Sequence, residues 1–414
     1  MKAGDSAWNR VQNQSFPCHP MGNSMWFQPC VIRLLESCRK EISFLAVAIL
    51  IDGGLLATLV GMPSSIAASN EQPIEYALAV HGGAGWEPAN MTAEDREVHR
   101  AALERALDVG TRILRSGGTA LDAVEQAIRM LEDEPLYNAG RGAVFNARGQ
   151  HELDAAIMDG KHRTAGAVAA VTTVRNPISL ARLVMTETKH VLLIGSGAEQ
   201  FADEMRLRPQ IERVANEYFS TEVRRREWRV AVDREKREQA DRERIERERP
   251  SKLWDQQSQD TRPEAFRHPF VRDQSRDPSA YCTVGCVARD KKGNLAAGTS
   301  TGGLTNKRWG RVGAVPVPGA GTYADNRTCA VSGTGTGELF LLNCTAFQIH
   351  SQMQLAQRTL SEAARVMIDE TMPKDSGGVI AIDGSGRVVM RCNTPGMARA
   401  ATDSSGKVVF EIER

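Results

Sequence analysis

Thr283 marks the point where this chain changes character. It opens the string Thr283-Val284-Gly285-Cys286-Val287-Ala288-Arg289-Asp290, a run of small apolar residues that reads as a strand. Before it, residues 251–280 mix Pro, Gln, Asp and Arg without any period, which reads as a flexible linker. A strand that starts at a threonine just after a dispensable linker suggests a chain cut there. The cut would make Thr283 a new N-terminus, joining a hydroxyl nucleophile and an α-amine base in one residue. An α-amine titrates near pH ~8, so a useful fraction is unprotonated at neutral pH and can take the hydroxyl proton.

Composition narrows the function classes. The chain has 414 residues, enough for one large domain or two ordinary ones, and at 41% hydrophobic it can bury a core of Ala, Val, Leu and Ile. Lys and Arg number 52 against 51 acidic residues, so charge gives no reason to expect nucleic acid or an acidic partner. The eight cysteines form no CxxC pair and no Cys/His spacing suited to zinc. Cys18, Cys30 and Cys38 lie in the N-terminal extension; Cys282, Cys286, Cys329, Cys344 and Cys392 are expected to be buried free thiols.

The extension needs its own reading. Arg33, Arg39 and Lys40 precede an apolar run at 42–60, followed by Ser64-Ser65-Ile66-Ala67-Ala68. Basic, apolar, then small is the order of a secretory signal peptide, with cleavage expected after Ala67 or Ala68 and a periplasmic or secreted destination. The run is also close to the ~20 residues a membrane span needs, so an anchor competes with export. Asp52 and a Gly pair interrupt the run, which leaves a cytoplasmic extension as a third reading.

Order begins at Glu75. Residues 76–80 read as a strand running into His81-Gly82-Gly83-Ala84-Gly85, a turn that allows close backbone approach. Thr92 with Asp95 and Thr119 with Asp122 open two amphipathic helices. Residues 142–146 and 152–158 are expected to pair as strands, 165–174 to form a third, and Asn176-Pro177 to start a helix. A strand at 191–194 then leads into a helix toward Met205. Charges alternate from 222 to 249 with too few apolar residues for a buried stripe, which predicts a solvated helix. Beyond Thr283 come two strands joined at Lys291-Lys292-Gly293-Asn294, Gly-rich loops at 310–313 and 319–321, one helix through Leu341, Phe347 and Met353, another at 360–372, and terminal strands. The chain divides into 1–74, 75–221, 222–282 and 283–414. An α+β fold of two stacked sheets with helices outside would bury these patterns.

Hydroxyls and glycines dominate the segment after the linker: Thr299-Ser300-Thr301-Gly302-Gly303, Arg311 and Thr334-Gly335-Thr336-Gly337. There is no Walker loop or Ser/His/Asp arrangement. Together these clusters suit a site that holds a small polar substrate with backbone amides, hydroxyls and one guanidinium.

These strings, with Tyr137-Asn138-Ala139-Gly140, Glu152-Leu153-Asp154-Ala155, Met158-Asp159-Gly160 and Gly310-Arg311-Val312-Gly313, resemble the plant-type asparaginase and isoaspartyl peptidase branch of the N-terminal nucleophile hydrolases. The resemblance spans roughly 76–413 apart from the linker. It implies a four-layer αββα sandwich whose precursor cuts itself between Cys282 and Thr283 into an α part (75–221, with the charged helix and linker to 282) and a β part (283–414). Two such αβ units would pair as a dimer of heterodimers. The implied chemistry is attack of Thr283 on the side-chain amide of asparagine or the isopeptide carbonyl of a β-aspartyl peptide, with no cofactor. By the same resemblance Thr301 bonds the nucleophile, Thr334 and the Gly335 amide form the oxyanion hole, and Arg311 clamps the substrate α-carboxylate. Gly337 offers its carbonyl to the substrate amine, and Asn138 and Gly83 lie beside the nucleophile. The loop 131–142 would hold a structural sodium ion through backbone carbonyls.

Two departures qualify the resemblance. Ala314 stands where the family has the Asp that pairs with the substrate α-ammonium, a charge-assisted contact typically worth ~1.5–3 kcal/mol. Cys282 stands where Gly or Asp usually precedes the nucleophile, so self-cleavage is expected to be slower. The alternatives are a relative of altered specificity, taspase-like or aspartylglucosaminidase-like, and an unprocessed binding protein that keeps the fold.

Overall fold

The computed structural model describes residues 74–248 and 283–414. The expected signal peptide or anchor, Cys282 and the linker lie outside the described residues. Among those described, no helix is long and apolar enough to cross a membrane.

The architecture is α+β. An eight-stranded sheet carries β1 (Ala77–Ala84), β2 (Leu153–Asp159), β3 (Thr164–Val171), β4 (Leu192–Ile194), β5 (Val284–Arg289) and β6 (Leu295–Thr301) together with β11 (Gly396–Asp403) and β12 (Val408–Glu413). Its order is β12-β11-β1-β5-β6-β2-β3-β4. A four-stranded sheet holds β7 (Thr322–Ala324), β8 (Cys329–Gly335), β9 (Gly377–Asp383) and β10 (Val388–Cys392) in the order β10-β9-β8-β7. The segments before and after the linker are therefore not separate domains: β5 and β6 insert between β1 and β2.

Period-two alternation explains why both faces of the large sheet are dry. Leu78 and Val80 of β1 join one core cluster, with Leu103 and Leu107 of α1 (Ala93–Arg115) and Val124 and Ile128 of α2 (Ala120–Glu132). Ala77 and Ala79 face the other way, into a cluster with Val331 of β8 and Ile380 of β9. That second cluster also takes Ile349 of the helix 345–356 and Ala363 and Ala364 of the helix 360–365. The small side chains of β1, β5 and β6 let neighbouring layers approach closely.

Both expected capping signals operate. Thr92 and Asp95 form a reciprocal capping box, and the Thr119 hydroxyl accepts from the Asp122 amide at 3.1 Å. α3 (Pro177–Glu187) begins at Asn176-Pro177, and α4 (Gly195–Glu204) follows β4.

The departures have local causes. The HGGA string is not a turn; β1 continues through it with a bulge between His81 and Ala84, because β11 pairs along its edge. Residues 142–146 are not a strand: the Asn138 side chain takes the Val144 amide, and the Asn146 side chain takes those of Arg148 and Gln150. β2 pairs with β3 and β6 instead. The helix expected through Leu341 and Met353 is two, α6 (Gly337–Leu342) and α7 (Thr345–Ala356), broken at Cys344 with φ +44°. Cys344 is also exposed, contrary to the buried-thiol expectation, whereas Cys286, Cys329 and Cys392 are buried. α8 (Leu360–Arg365) passes into a π-helical turn at Val366–Thr371.

The charged helix α5 (Glu222–Glu248) is solvated only in part. Arg224 and Ala231 are buried, Trp228 packs against Phe145, and Glu235 accepts from Asn306 and Arg308 at 2.6 and 2.7 Å. The docking face runs at helical spacing through Arg224, Trp228, Ala231 and Glu235. Two of its four members act through polar contacts, so a search for hydrophobic periodicity passes over it.

Candidate active site

Strand register brings the candidate nucleophile to its partner. β5 and β6 pair with Val284 opposite Ser300, so the next residue back, Thr283, falls beside Thr301. The Thr283 hydroxyl donates to Thr301 Oγ1 at 3.1 Å, and the Gly303 amide donates to the same oxygen at 3.0 Å. Thr301 and Thr283 share a pocket with Arg311, Ala314, Thr334, Gly335 and Gly337. Seven of the residues implicated by the sequence thus converge from the two sheets, the loop that carries Arg311 and Ala314, and the start of α6.

Gly335 ends β8 with φ +139°, in a place where a Cβ would stand 2.1 Å from the Ser376 carbonyl. Only glycine can end the strand this way, and that leaves its backbone bordering the pocket. Arg311 is held flat by two bonds to Glu338, Nε to Oε1 at 2.9 Å and Nη2 to Oε2 at 3.0 Å. This fork geometry fixes the guanidinium plane at the pocket wall.

Two further expected residues, Asn138 and Gly83, stand one contact behind the pocket lining, Asn138 on Gly303 and Gly83 next to Ala84, whose amide reaches Thr334. Asn138 does not line the pocket; its side chain donates to the Gly303 carbonyl at 2.8 Å and accepts from Val144, bracing the loop after Thr301. Gly83 sits in the β1 bulge with φ +102° and is not among the pocket-lining residues.

A buried hydrogen-bond relay was not legible in the sequence. Thr322 donates to Thr299 at 2.7 Å, Thr299 lies 2.7 Å from Ser332, Ser332 lies 3.0 Å from His81 Nε2, and His81 Nδ1 lies 3.0 Å from the Thr283 carbonyl. A carbonyl only accepts, so Nδ1 carries the proton and Nε2 accepts from Ser332. Burial lowers the His81 pKa to about 3, against the opposing pull of the Thr283 carbonyl, so the ring is neutral. A neutral, fully bonded imidazole is a structural clamp on the backbone of Thr283, not a competing base. The relay passes so close to β5 that a Cβ on Gly285 would stand 2.0 Å from Ser332 Oγ and 2.3 Å from His81 Nε2.

Below this floor, Glu132 accepts from Ser300 at 2.7 Å and from the Ile178 amide, while its Oε2 meets no donor within hydrogen-bond geometry among the described residues. Burial raises its pKa to about 8. Burial likewise lowers His99 and His151 to about 4. The two kinds of shift act oppositely on stability. The histidines have folded values below their ordinary 6.5, so their contribution is complete above pH 6.5 and is lost as pH falls toward 4 and 3. Glu132 has a folded value above its ordinary 4.5, so its contribution is complete below that and is lost as pH rises toward 8. Calorimetry should therefore place the stability maximum near neutrality. Between pH 5 and 8, Glu132→Gln should gain on the native chain by about 1.4 kcal/mol per pH unit; parallel curves for the two would refute the assignment.

On the far side of Thr301, β2 places Asp154 in register with that residue. Asp154 is fully buried, its Oδ2 has no hydrogen-bond partner among the described residues, and burial pushes its carboxyl pKa up against the pull of Lys307. Burial pushes the Lys307 ammonium down, opposed by Asp154; its Nζ donates to the Glu152 carbonyl at 2.8 Å. Among the described residues no cluster of His, Cys, Asp and Glu could hold a metal ion.

Comparison with known proteins gives the family. The family model described as Asparaginase matches residues 74–411. The isoaspartyl peptidase of Escherichia coli (strain K12) is 42% identical over 330 residues, covering 78% of this chain and 91% of that protein. A probable isoaspartyl peptidase/L-asparaginase 2 of Arabidopsis thaliana is 40% identical over 335 residues, covering 80% and 97%. The human isoaspartyl peptidase/L-asparaginase is 39% identical over 342 residues, covering 81% and 96%. With a family match that runs from residue 74 to 411 and relatives about 40% identical over most of their own length, this chain belongs to the plant-type asparaginase and isoaspartyl peptidase family of hydrolases.

Proposed function

We propose that this protein is an autoprocessed threonine amidohydrolase that cleaves β-aspartyl dipeptides and L-asparagine and releases aspartate. The observation that carries the reading is the 3.1 Å contact of the Thr283 and Thr301 hydroxyls inside the pocket that Arg311, Thr334 and Gly335 also line. Scission after Cys282 frees the Thr283 amine, which takes the hydroxyl proton as Oγ1 attacks the substrate carbonyl. The Thr334 hydroxyl and the Gly335 amide are the donors for the developing oxyanion. The amine or ammonia leaves with a proton from the α-ammonium, an ester on Thr283 remains, and water releases aspartate and restores the hydroxyl. Thr301 orients Oγ1, and His81 fixes the carbonyl of a residue that has lost its upstream neighbour.

Three further parts belong to the same proposal. The layers stack as a four-layer αββα sandwich, supported by the two core clusters on either face of the large sheet. Two αβ units pair in solution, and the N-terminal run directs export. The loop 131–142 fits a structural sodium ion by its donor chemistry: the Pro135 and Tyr137 carbonyls converge where a Cβ on Gly142 would stand, at 2.4 and 2.7 Å. Carbonyl oxygens of this kind suit a hard monovalent cation. Arg224 already supplies positive charge to this loop through the Gly142 and Leu136 carbonyls.

A denaturing gel after prolonged incubation tests the reading: two fragments, the second beginning at Thr283, are expected, followed by turnover of asparagine or a β-aspartyl dipeptide. One uncut band without activity would favour the silent-fold alternative. Ala314 favours altered specificity as the second reading, since it lines the pocket where a carboxylate would meet the substrate α-ammonium. Ala314→Asp should lower KM for asparagine about tenfold or more, the equivalent of ~1.5–3 kcal/mol for a charge-assisted bond. An unchanged KM would remove that account of the loop.

A further inference from the structure

The Gly335 amide must point at the substrate to serve as an oxyanion donor, and β8 alone does not fix its direction. The Thr334 carbonyl faces β9: a Cβ on Gly377 would stand 2.2 Å from it. A trans peptide puts the Gly335 N–H on the opposite side, away from β9. β7 begins only at Thr322, opposite Ser332, so among the described residues no strand pairs with β8 on that side of Gly335. The N–H is left to the pocket that Gly335 lines.

The neighbouring strand sets where this peptide sits. Register puts Gly335 opposite Gly377, with φ +139° and +147°. A Cβ on Gly335 would stand 2.5 Å from the Gly377 Cα, so the two backbones lie against each other with no room for a side chain between them. The Thr336 amide donates to the Ser376 carbonyl at 2.8 Å. Whatever holds the Ser376–Gly377 backbone therefore holds the Thr334–Gly335 peptide.

The β9–β10 ladder ends at Gly378 and Cys392, and beyond it one buried side chain takes over. Asn393 Oδ1 accepts from the Ser376 and Gly377 amides, each at 3.0 Å, and from the Ser376 hydroxyl at 3.3 Å. Its Nδ2 donates to the Ile368 carbonyl at 2.7 Å and to the Pro373 carbonyl at 2.9 Å. Two N–H groups on one side and two carbonyls on the other allow the amide only one orientation. The Ile368 carbonyl lies in the π-helical turn, where the residue five positions on is Pro373, which has no N–H to give it. The Asn393 backbone amide also donates to the Gly377 carbonyl at 2.9 Å. One residue thus grips Gly377 by both its N–H and its carbonyl, and is itself anchored to the turn behind.

We infer that Asn393 is a positioning residue of the oxyanion hole: it holds the Ser376–Gly377 backbone from behind and so aims the Gly335 N–H into the pocket, which Asn393 itself does not line. The inference rests on the function proposed above. The test is kcat and KM for L-asparagine and β-aspartyl-glycine in the full processed chain, with the melting temperature of each sample. Asn393→Ala should lower kcat about tenfold to a hundredfold and leave KM within about threefold, because an oxyanion donor acts on charge present only in the transition state. Asn393→Asp keeps an acceptor for both amides and gives up the donors to the two carbonyls, so it should lower the melting temperature yet keep kcat within about threefold of native. Asn393→Gln keeps both groups, and with them the fold should alanine fail to give one, but displaces the grip by a methylene; it should lower kcat about tenfold at constant KM. Native kcat in the alanine and glutamine variants, a raised KM with kcat intact, or a kcat that falls in step with melting temperature across the series would overturn the inference and leave the enzyme assignment standing. If the native chain hydrolyses neither substrate, the enzyme assignment fails and this inference with it.

Discussion

Thr283→Ala should leave the chain in one piece and reduce amide hydrolysis by on the order of 10⁴- to 10⁶-fold, the scale seen when a nucleophile that acts as one unit with its base is removed. On the proposed mechanism the loss is large because a single residue supplies both groups: without the hydroxyl there would be neither self-cleavage nor an acyl-enzyme, and without the cut no amine. Thr283→Ser is the control. It keeps both groups and the bond to Thr301, so it should still process and retain a measurable fraction of activity. The fold should survive either change, since Thr283 stands at the start of β5 and the strand is held on both sides by β1 and β6. Gel analysis with N-terminal sequencing reads the cut, and initial rates read the chemistry. An alanine variant that is fully active, or active material still joined at 282–283, would end the account.

Thr334→Val should lower kcat by about 10²- to 10³-fold with little change in KM, since an oxyanion donor binds charge that exists only in the transition state. Valine keeps the shape and removes the donor. Thr334 is nearly fully buried, and its Oγ1 also accepts from the Ala84 amide at 3.4 Å, so a modest loss of stability should accompany the kinetic one. Thr334→Ser separates the two effects because it keeps the hydroxyl. A valine variant that raised KM with kcat intact would show that this hydroxyl binds the ground state equally and is not an oxyanion donor.

Much of the site was legible because its residues sit in short strings whose chemistry is local. Thr283 could be singled out by the linker before it, and Arg311 by the string Gly310-Arg311-Val312-Gly313 that carries the resemblance. The helix starts at Thr92 and Thr119 were readable because a cap and its partner lie three residues apart. Elements that depend on distant partners were not. β11 is a run of small and helix-tolerant residues that becomes a strand because β1 and β12 lie on either side. That the Asn138 amide braces Gly303, 165 positions away, could not be read from either string alone. The docking face of α5 is hidden by its own composition, since Arg224 and Glu235 bind loops through hydrogen bonds.

By itself, the amino-acid order determined the candidate nucleophile, the family, the α+β class and most of the pocket, because strand and helix periods, caps and glycine turns depend on near neighbours. Only the tertiary structure decided that β5 and β6 enter the sheet between β1 and β2, which puts Thr283 beside Thr301 and over His81. It also decided that Thr299 faces the relay while its neighbour Ser300 faces the buried Glu132. Pairing register and the burial of polar groups are set by residues hundreds of positions apart, and no local pattern encodes which side of a strand will meet them.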